Sequence, residues 1–166
     1  MSIKIIVTGG TFDKEYNELT GELYFSKTHV PEMLSLGRCR LPVELKTLMM
    51  CDSLLLTQED ISCILQEVKQ SVQDKILITH GTDKMVSTAK VLGSEIHDKT
   101  VVLTGAIIPY AFGSSDGMFN LGSALAFVQS LAFGVYVAMN GRYFNYDNVY
   151  KNKQNGNFEE IIKQSI

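Results

Sequence analysis

The sequence predicts an α/β domain built on a mainly parallel sheet with helices on both faces. Three observations carry that reading. Short, near-continuous apolar runs at Ile3–Val7, Lys75–Thr79, Thr100–Leu103 and Val135–Ala138 read as strands buried on both sides. Segments of helical character alternate with them, the order expected of parallel strands joined by crossover helices. Clusters of small polar residues, Thr8–Thr11, Asp52-Ser53, His80–Asp83 and Thr104–Ala106, follow strands. In an open parallel sheet that is where ligands bind.

Ile3–Val7 ends in Thr8-Gly9-Gly10-Thr11, a strand running into a tight turn. Residues 12–28 are polar, contain Gly21 and show no helical stripe, so they read as a long loop with room for a hairpin near Leu19–Phe25. Pro31–Leu36 suits a short helix and Val43–Met50 a second strand. Thr57-Gln58-Glu59-Asp60 has the form of a helix start, and Ile61, Ile64, Leu65 and Val68 follow at helical spacing. Lys75–Thr79 is the third strand, Lys84 to Leu92 a helix and Thr100–Leu103 the fourth strand. Beyond Pro109 and a Gly/Ser stretch, Ser115-Asp116-Gly117 opens a helix reaching Gln129, and Val135–Ala138 is the fifth strand. From Asn140 the chain is polar and Asn-rich, irregular or hairpin. Glu159–Gln164 reads as a terminal helix.

The 166 residues carry 15 Lys+Arg against 18 Asp+Glu, so no basic field exists to hold a polyanion and nucleic-acid binding is not expected. The length suits one domain over residues 1–166. Gly122 to Met139 is uncharged, but Ser123, Gln129, Ser130 and Gly134 interrupt it, so a buried helix and strand are expected rather than a membrane span. Cys39, Cys51 and Cys63 fit no zinc-ligand spacing. Their odd number and the absence of a signal-like N-terminal run point to reduced, mostly buried thiols and a cytoplasmic setting. Met49-Met50 reads as core, and the aromatics from Tyr143 to Tyr150 as packing or a contact between subunits.

Gly9-Gly10 lacks both the GxGxxG and the phosphate-loop spacing, which removes the main support for a nucleotide site. The turn is either a plain strand end or a device that holds the Thr11 hydroxyl against exposed N–H groups. In His80-Gly81-Thr82-Asp83, a threonine hydroxyl needs a base to become nucleophilic. The neighbouring carboxylate either caps the next helix or binds an ammonium and orients a lysine. His80 reads as structural rather than as the base.

These blocks, in this order, resemble the N-terminal domain of bacterial-type L-asparaginases. Thr8-Gly9-Gly10-Thr11 resembles the first threonine motif and Thr79-His80-Gly81-Thr82-Asp83 the second. Asp52-Ser53 with Thr57-x-Glu59-Asp60 resembles the substrate-binding serine segment. Gly105-Ala106-x-x-Pro109 and Ser115-Asp116-Gly117-x-x-Asn120-Leu121 are further family-like blocks. The resemblance spans roughly residues 3 to 151. It implies a Rossmann-like or flavodoxin-like three-layer domain that hydrolyses L-asparagine, or a related amide, to aspartate and ammonia without metal or cofactor.

By the same resemblance, Thr11 is the nucleophile and Tyr24, thirteen residues on, the lid tyrosine that relays its proton. Thr82, Asp83 and Lys151 form a second triad. Ser53 takes the substrate carboxylate and Asp83 its ammonium, with Gly10, Asp52, Gly81, Thr82 and the backbone near Ala106 completing the pocket.

The departures are Lys84 where the family has threonine, Phe12-Asp13 after the nucleophile, Leu54 in place of a glutamine, and Ile107-Ile108 in place of Met-Arg. The chain stops at Ile166, whereas the family continues into a C-terminal domain that supplies an acid near the lid tyrosine of a neighbouring protomer. The expectation is therefore a homo-oligomer, dimer or tetramer, that completes its own site. The alternative is an impaired amino-acid-binding module that senses a ligand or needs a partner chain.

Overall fold

The structure is a computed structural model that describes residues 2–161. The chain runs β1 (Ile3–Gly9), β2 (Lys14–Tyr16), β3 (Leu23–Phe25), α1 (Val30–Leu36), β4 (Val43–Cys51), α2 (Gln58–Gln70) and β5 (Lys75–Thr79). It continues through α3 (Met85–Glu95), β6 (Thr100–Thr104), α4 (Gly117–Ser130), β7 (Gly134–Met139), β8 (Arg142–Asn145), β9 (Tyr150–Lys151) and β10 (Phe158–Glu159). The central sheet has the order β4-β1-β5-β6-β7-β8, parallel throughout except for β8.

The near-continuous apolar strands follow from that order. Successive side chains point to opposite faces, and both faces are covered. Ile76, Ile78, Val101 and Leu103 pack with Ile64 and Val68 of α2 and with Met85, Ala89 and Leu92 of α3. Leu77, Val102, Ile5 and Val7 pack on the other side with Val30 and Met33 of α1 and Leu121, Ala124 and Val128 of α4. The result is the three-layer α/β fold. No helix among the described residues is long and apolar enough to cross a membrane, and Gly122 to Met139 divides into the end of α4 and β7.

Three expectations need correction. The hairpin pairs Lys14–Tyr16 with Leu23–Phe25, rather than lying within Leu19–Phe25, because the reversal forms earlier. The Asn17 side chain accepts from the N–H groups of Leu19 and Thr20, and Gly21 supplies a positive φ of 74°. The tail from Asn140 takes the hairpin form, one of its two expected readings: Asn140 (φ 54°) and Gly141 (φ 80°) turn β7 back into antiparallel β8. Glu159 lies in β10 opposite Tyr150 rather than in a helix, and the expected terminal helix from residue 162 on lies outside the described residues. The cysteines are not mostly buried. Cys39 and Cys51 are half-buried and Cys63 is exposed, since it sits two positions from the inward Ile61 on α2. Thr57 does cap α2, with Asp60 closing the reciprocal bond. Of the aromatics, Phe144 is buried, Tyr143 meets Phe127 and Tyr136 edge-on, and Tyr146 covers Gly93.

Candidate active site

The first strand sits inside the sheet, with β4 on one side and β5 on the other, so the chain order reverses between β1 and β5. That reversal opens a crevice at the carboxyl ends of the strands. The loops that enter it are those after β1, β4, β5 and β6, which are neighbours in the sheet. They carry Thr11, Ser53, Thr82 and Ala106 respectively.

The loops meet backbone to backbone. Gly10 has φ 76° and ψ −176°, a region essentially closed to other residues. A Cβ there would lie 2.4 Å from the Gly81 nitrogen. A Cβ on Gly81 would in turn lie 2.5 Å from Ser53 Oγ. Two glycines thus let the Thr11 turn, the second threonine motif and the serine turn touch.

Thr82, Asp83 and Lys151 lie in contact. Lys151 Nζ donates to Thr82 Oγ1 at 2.9 Å and to Asp83 Oδ1 at 2.7 Å. Thr82 is buried, while the Lys151 side chain is 20% exposed and that of Asp83 49%. Asp83 and Lys151 therefore lie at the edge open to a solute, with Thr82 buried behind them. Asp83 does not cap α3, whose first turn has no side-chain cap. The placement of Lys151 depends on the antiparallel pairing of β9 with β10.

Thr11 is half-buried and makes no side-chain hydrogen bond among the described residues. Its turn is anchored by the next residue: Phe12 is fully buried in the core on the α1 and α4 side. Asp13, also fully buried, accepts from the His29 N–H at 2.8 Å and from Thr28 Oγ1 at 3.1 Å. Burial pushes its carboxyl above the usual carboxylate range. These two departures from the family pattern thus pin both ends of the β2–β3 hairpin.

Tyr24 lies on that hairpin, 42% exposed. Its hydroxyl donates to Glu15 Oε2 at 3.0 Å and not to Thr11. Asp52 caps the turn that follows it and accepts from Lys14, which ties the hairpin to the serine turn. The Lys14 bond holds the Asp52 carboxyl below its ordinary range. Ser53 is buried, whereas Leu54 is exposed. Lys84 reaches back to the Leu56 carbonyl at 3.0 Å and braces the same turn.

The backbone of Ala106 makes no hydrogen bond among the described residues. Two side chains given no role by sequence reading set its course. Asp116 accepts from the Ile107 and Ile108 N–H groups, each at 3.0 Å. Asn120, fully buried, donates to Gly105 O at 2.8 Å and to Asp116 at 2.9 Å, and accepts from the Asn140 N–H at 3.0 Å. Their helical spacing of four was the available signal. Glu15 was missed because only the register of β2 against β3 places it beside Tyr24.

His80 lies beneath the site. Its Nδ1 donates to Gly81 O at 2.8 Å, which leaves Nε2 to accept from Thr88 Oγ1 at 3.0 Å. Burial drives its pKa from 6.5 down to about 4, so the ring is neutral and serves as a strut. The unfolded chain therefore binds a proton that the native chain refuses. Stability from this group is full above pH 6.5 and is lost as pH falls towards 4. The expected loss between pH 7 and 4.5 is about 2 kcal/mol. Urea unfolding at pH 7 and 4.5 measures it, and His80 ring nitrogens that stay neutral to pH 5 by NMR identify the group.

No group of three or more His, Cys, Asp or Glu side chains among the described residues is placed to hold a metal ion. Comparison with known proteins gives a consistent result. The family model for the asparaginase N-terminal region matches residues 2–159. The chain is 31% identical over 143 residues to an L-asparaginase of Thermococcus kodakarensis, covering 83% of this chain and 44% of that protein. It is 30% identical over 156 residues to a glutaminase-asparaginase of Acinetobacter glutaminasificans, covering 86% and 47%. It is 31% identical over 150 residues to a glutamyl-tRNA(Gln) amidotransferase component of Methanococcus maripaludis, covering 84% and 35%. The solved structure of the thermostable Thermococcus kodakarensis L-asparaginase superposes with a TM-score of 0.84 at 30% identity, over 97% of this chain and 51% of that one. The chain spans less than half the length of each of the three sequence relatives.

Proposed function

The chain belongs to the asparaginase family, matching its N-terminal region, and from that premise we propose that it hydrolyses the side-chain amide of L-asparagine or a related amide. The observation that carries this reading is the Lys151 amine touching both Thr82 Oγ1 and Asp83 Oδ1 across nearly seventy residues of sequence. A lysine, a threonine and a carboxylate so arranged can move a proton to and from a hydroxyl or a water.

In this reading Thr11 Oγ1 attacks the amide carbon and Tyr24 receives the threonine proton. The free N–H of Ala106 faces the amide, where it would steady the developing oxyanion. Collapse releases ammonia and leaves an ester on Thr11. Water activated through Thr82 and Lys151 then frees aspartate. Ser53 and Asp83 hold the carboxylate and ammonium of the amino acid. Gly10 and Gly81 shape the pocket floor, and Asp52 keeps the serine turn in place through Lys14.

Three free cysteines agree with a reducing cytoplasm. Exposed Ile107, Ile108, Phe112 and Phe119 beside the Ala106 loop suit coverage by a second copy, which would also exclude water from the crevice. A second reading rests on the likeness to a protein named as part of an amidotransferase: here the pocket binds an amide donor and works with a partner chain.

The test is ammonia release from L-asparagine, L-glutamine, D-asparagine and an asparaginyl dipeptide, with Thr11→Ala alongside. We expect turnover that falls about a thousandfold or more in the variant. Folded chain that binds asparagine without releasing ammonia would favour the second reading.

A further inference from the structure

We propose that Glu15 is a positioning residue for the hydrolysis, the in-chain carboxylate that aims the Tyr24 phenol and takes its proton as Thr11 is activated. The proposal rests on the hydrolase reading above and adds a residue to it.

Glu15 and Tyr24 stand directly opposite in the β2–β3 register. Glu15 Oε2 accepts from Tyr24 Oη at 3.0 Å, and Oε1 accepts from Ser26 Oγ at 3.1 Å. His29 Nε2 lies 3.3 Å from Oε1. Three side chains from the returning half of the loop thus converge on one carboxylate. An exposed tyrosine has water to bond and needs no such partner. The cluster is also held from below, because buried Asp13 grips the backbone of His29 and the Thr28 hydroxyl.

The charge states suit the task. The Tyr24 and Ser26 bonds, with the charges of His29 and Lys27 nearby, hold the Glu15 carboxyl below its usual range. The same carboxylate pushes the Tyr24 phenol above its usual value. At neutral pH, Glu15 is therefore an acceptor and Tyr24 a neutral donor. A phenol that donates to a carboxylate keeps its oxygen lone pairs free, and the bond makes that oxygen a better acceptor.

The step balances within the chain. As Thr11 Oγ1 bonds to the amide carbon, its proton passes to Tyr24 Oη and the phenolic proton passes to Glu15 Oε2. When the C–N bond breaks, the protons retrace that path, and the departing amine leaves as ammonia. Glu15 does not touch substrate. It acts through Tyr24.

The experiment compares Glu15→Gln, Glu15→Ala, Tyr24→Phe and the Glu15→Gln/Tyr24→Phe pair in the full chain, on whichever amide of the panel it hydrolyses. Glutamine keeps an acceptor for the hairpin bond but takes no proton from a phenol. We expect both Glu15 variants to lose about tenfold to a hundredfold in kcat with little change in KM. In the Tyr24→Phe background, Glu15→Gln should cost nothing more. Ultraviolet titration, read as the difference from Tyr24→Phe, should show the Tyr24 phenol ionising at lower pH in Glu15→Gln. Full kcat in Glu15→Gln, or losses that multiply in the double variant, would overturn the proposal while Thr11-dependent turnover kept the hydrolase reading. Absence of turnover on every amide would overturn both.

Discussion

Lys151→Met is expected to lower amide turnover about a thousandfold while changing the free energy of unfolding by less than about 1 kcal/mol. The two halves have separate causes. Lys151 is the only side chain that bonds both Thr82 Oγ1 and Asp83 Oδ1 among the described residues. Methionine keeps its length and apolar stem but can neither give nor take a proton. Stability is nearly untouched because the stranded Asp83 carboxylate is half exposed and falls back on water. Steady-state kinetics and urea unfolding on one preparation check both halves. A tenfold loss or less would mean that the triad does not move the proton. A large loss of stability would mean that Lys151 holds the fold.

Gly10→Ala is expected to destabilise the fold by about 4 kcal/mol. Part of this is backbone: φ 76° with ψ −176° costs a side-chain-bearing residue roughly 1–3 kcal/mol. The rest is collision, since the new carbon lies 2.4 Å from the Gly81 nitrogen and 2.5 Å from its Cα. That backbone cannot retreat, because Gly81 is itself pressed against Ser53. The midpoint of thermal unfolding should fall by roughly 10 °C, with activity lost as Thr11 and Thr82 move apart. Gly113→Ala separates the two terms. Gly113 also has a positive φ, 81°, but nothing lies within 4 Å of its Cβ position. It should lose only about 1 kcal/mol.

The layered fold was legible because its strands are apolar on both faces. Ile76-Leu77-Ile78 must bury every side chain, and a sheet covered on two sides is the arrangement that allows it. The loop motifs were legible because glycines and threonines cluster where strands end. What escaped were partners set by register or by distant contact. Nothing local marks Glu15 as the mate of Tyr24, or Lys14 as the mate of Asp52. Phe12 reads as a departure from a motif until the core shows that it is an anchor. Asp116 reads only as part of a helix start, yet its oxygens turn back to the N–H groups of Ile107 and Ile108. The strands of the tail are too short and polar to announce themselves, and Lys151 depends on them.

The strand order carries a consequence for how the chain is made. The internal strand β1 leaves a ribosome ahead of both its neighbours in the sheet, which are encoded well downstream: β4, then β5. At ordinary rates of elongation the gap between Ile3–Gly9 and Lys75–Thr79, about seventy residues, lasts roughly 4–14 s. Throughout that interval the edge of β1 that meets β5 is unpaired. Thr11 is also translated long before Lys151. Synthesis thus delivers the hydroxyl early and the amine that would tune the site late, so competence comes only after the tail has been translated and has docked.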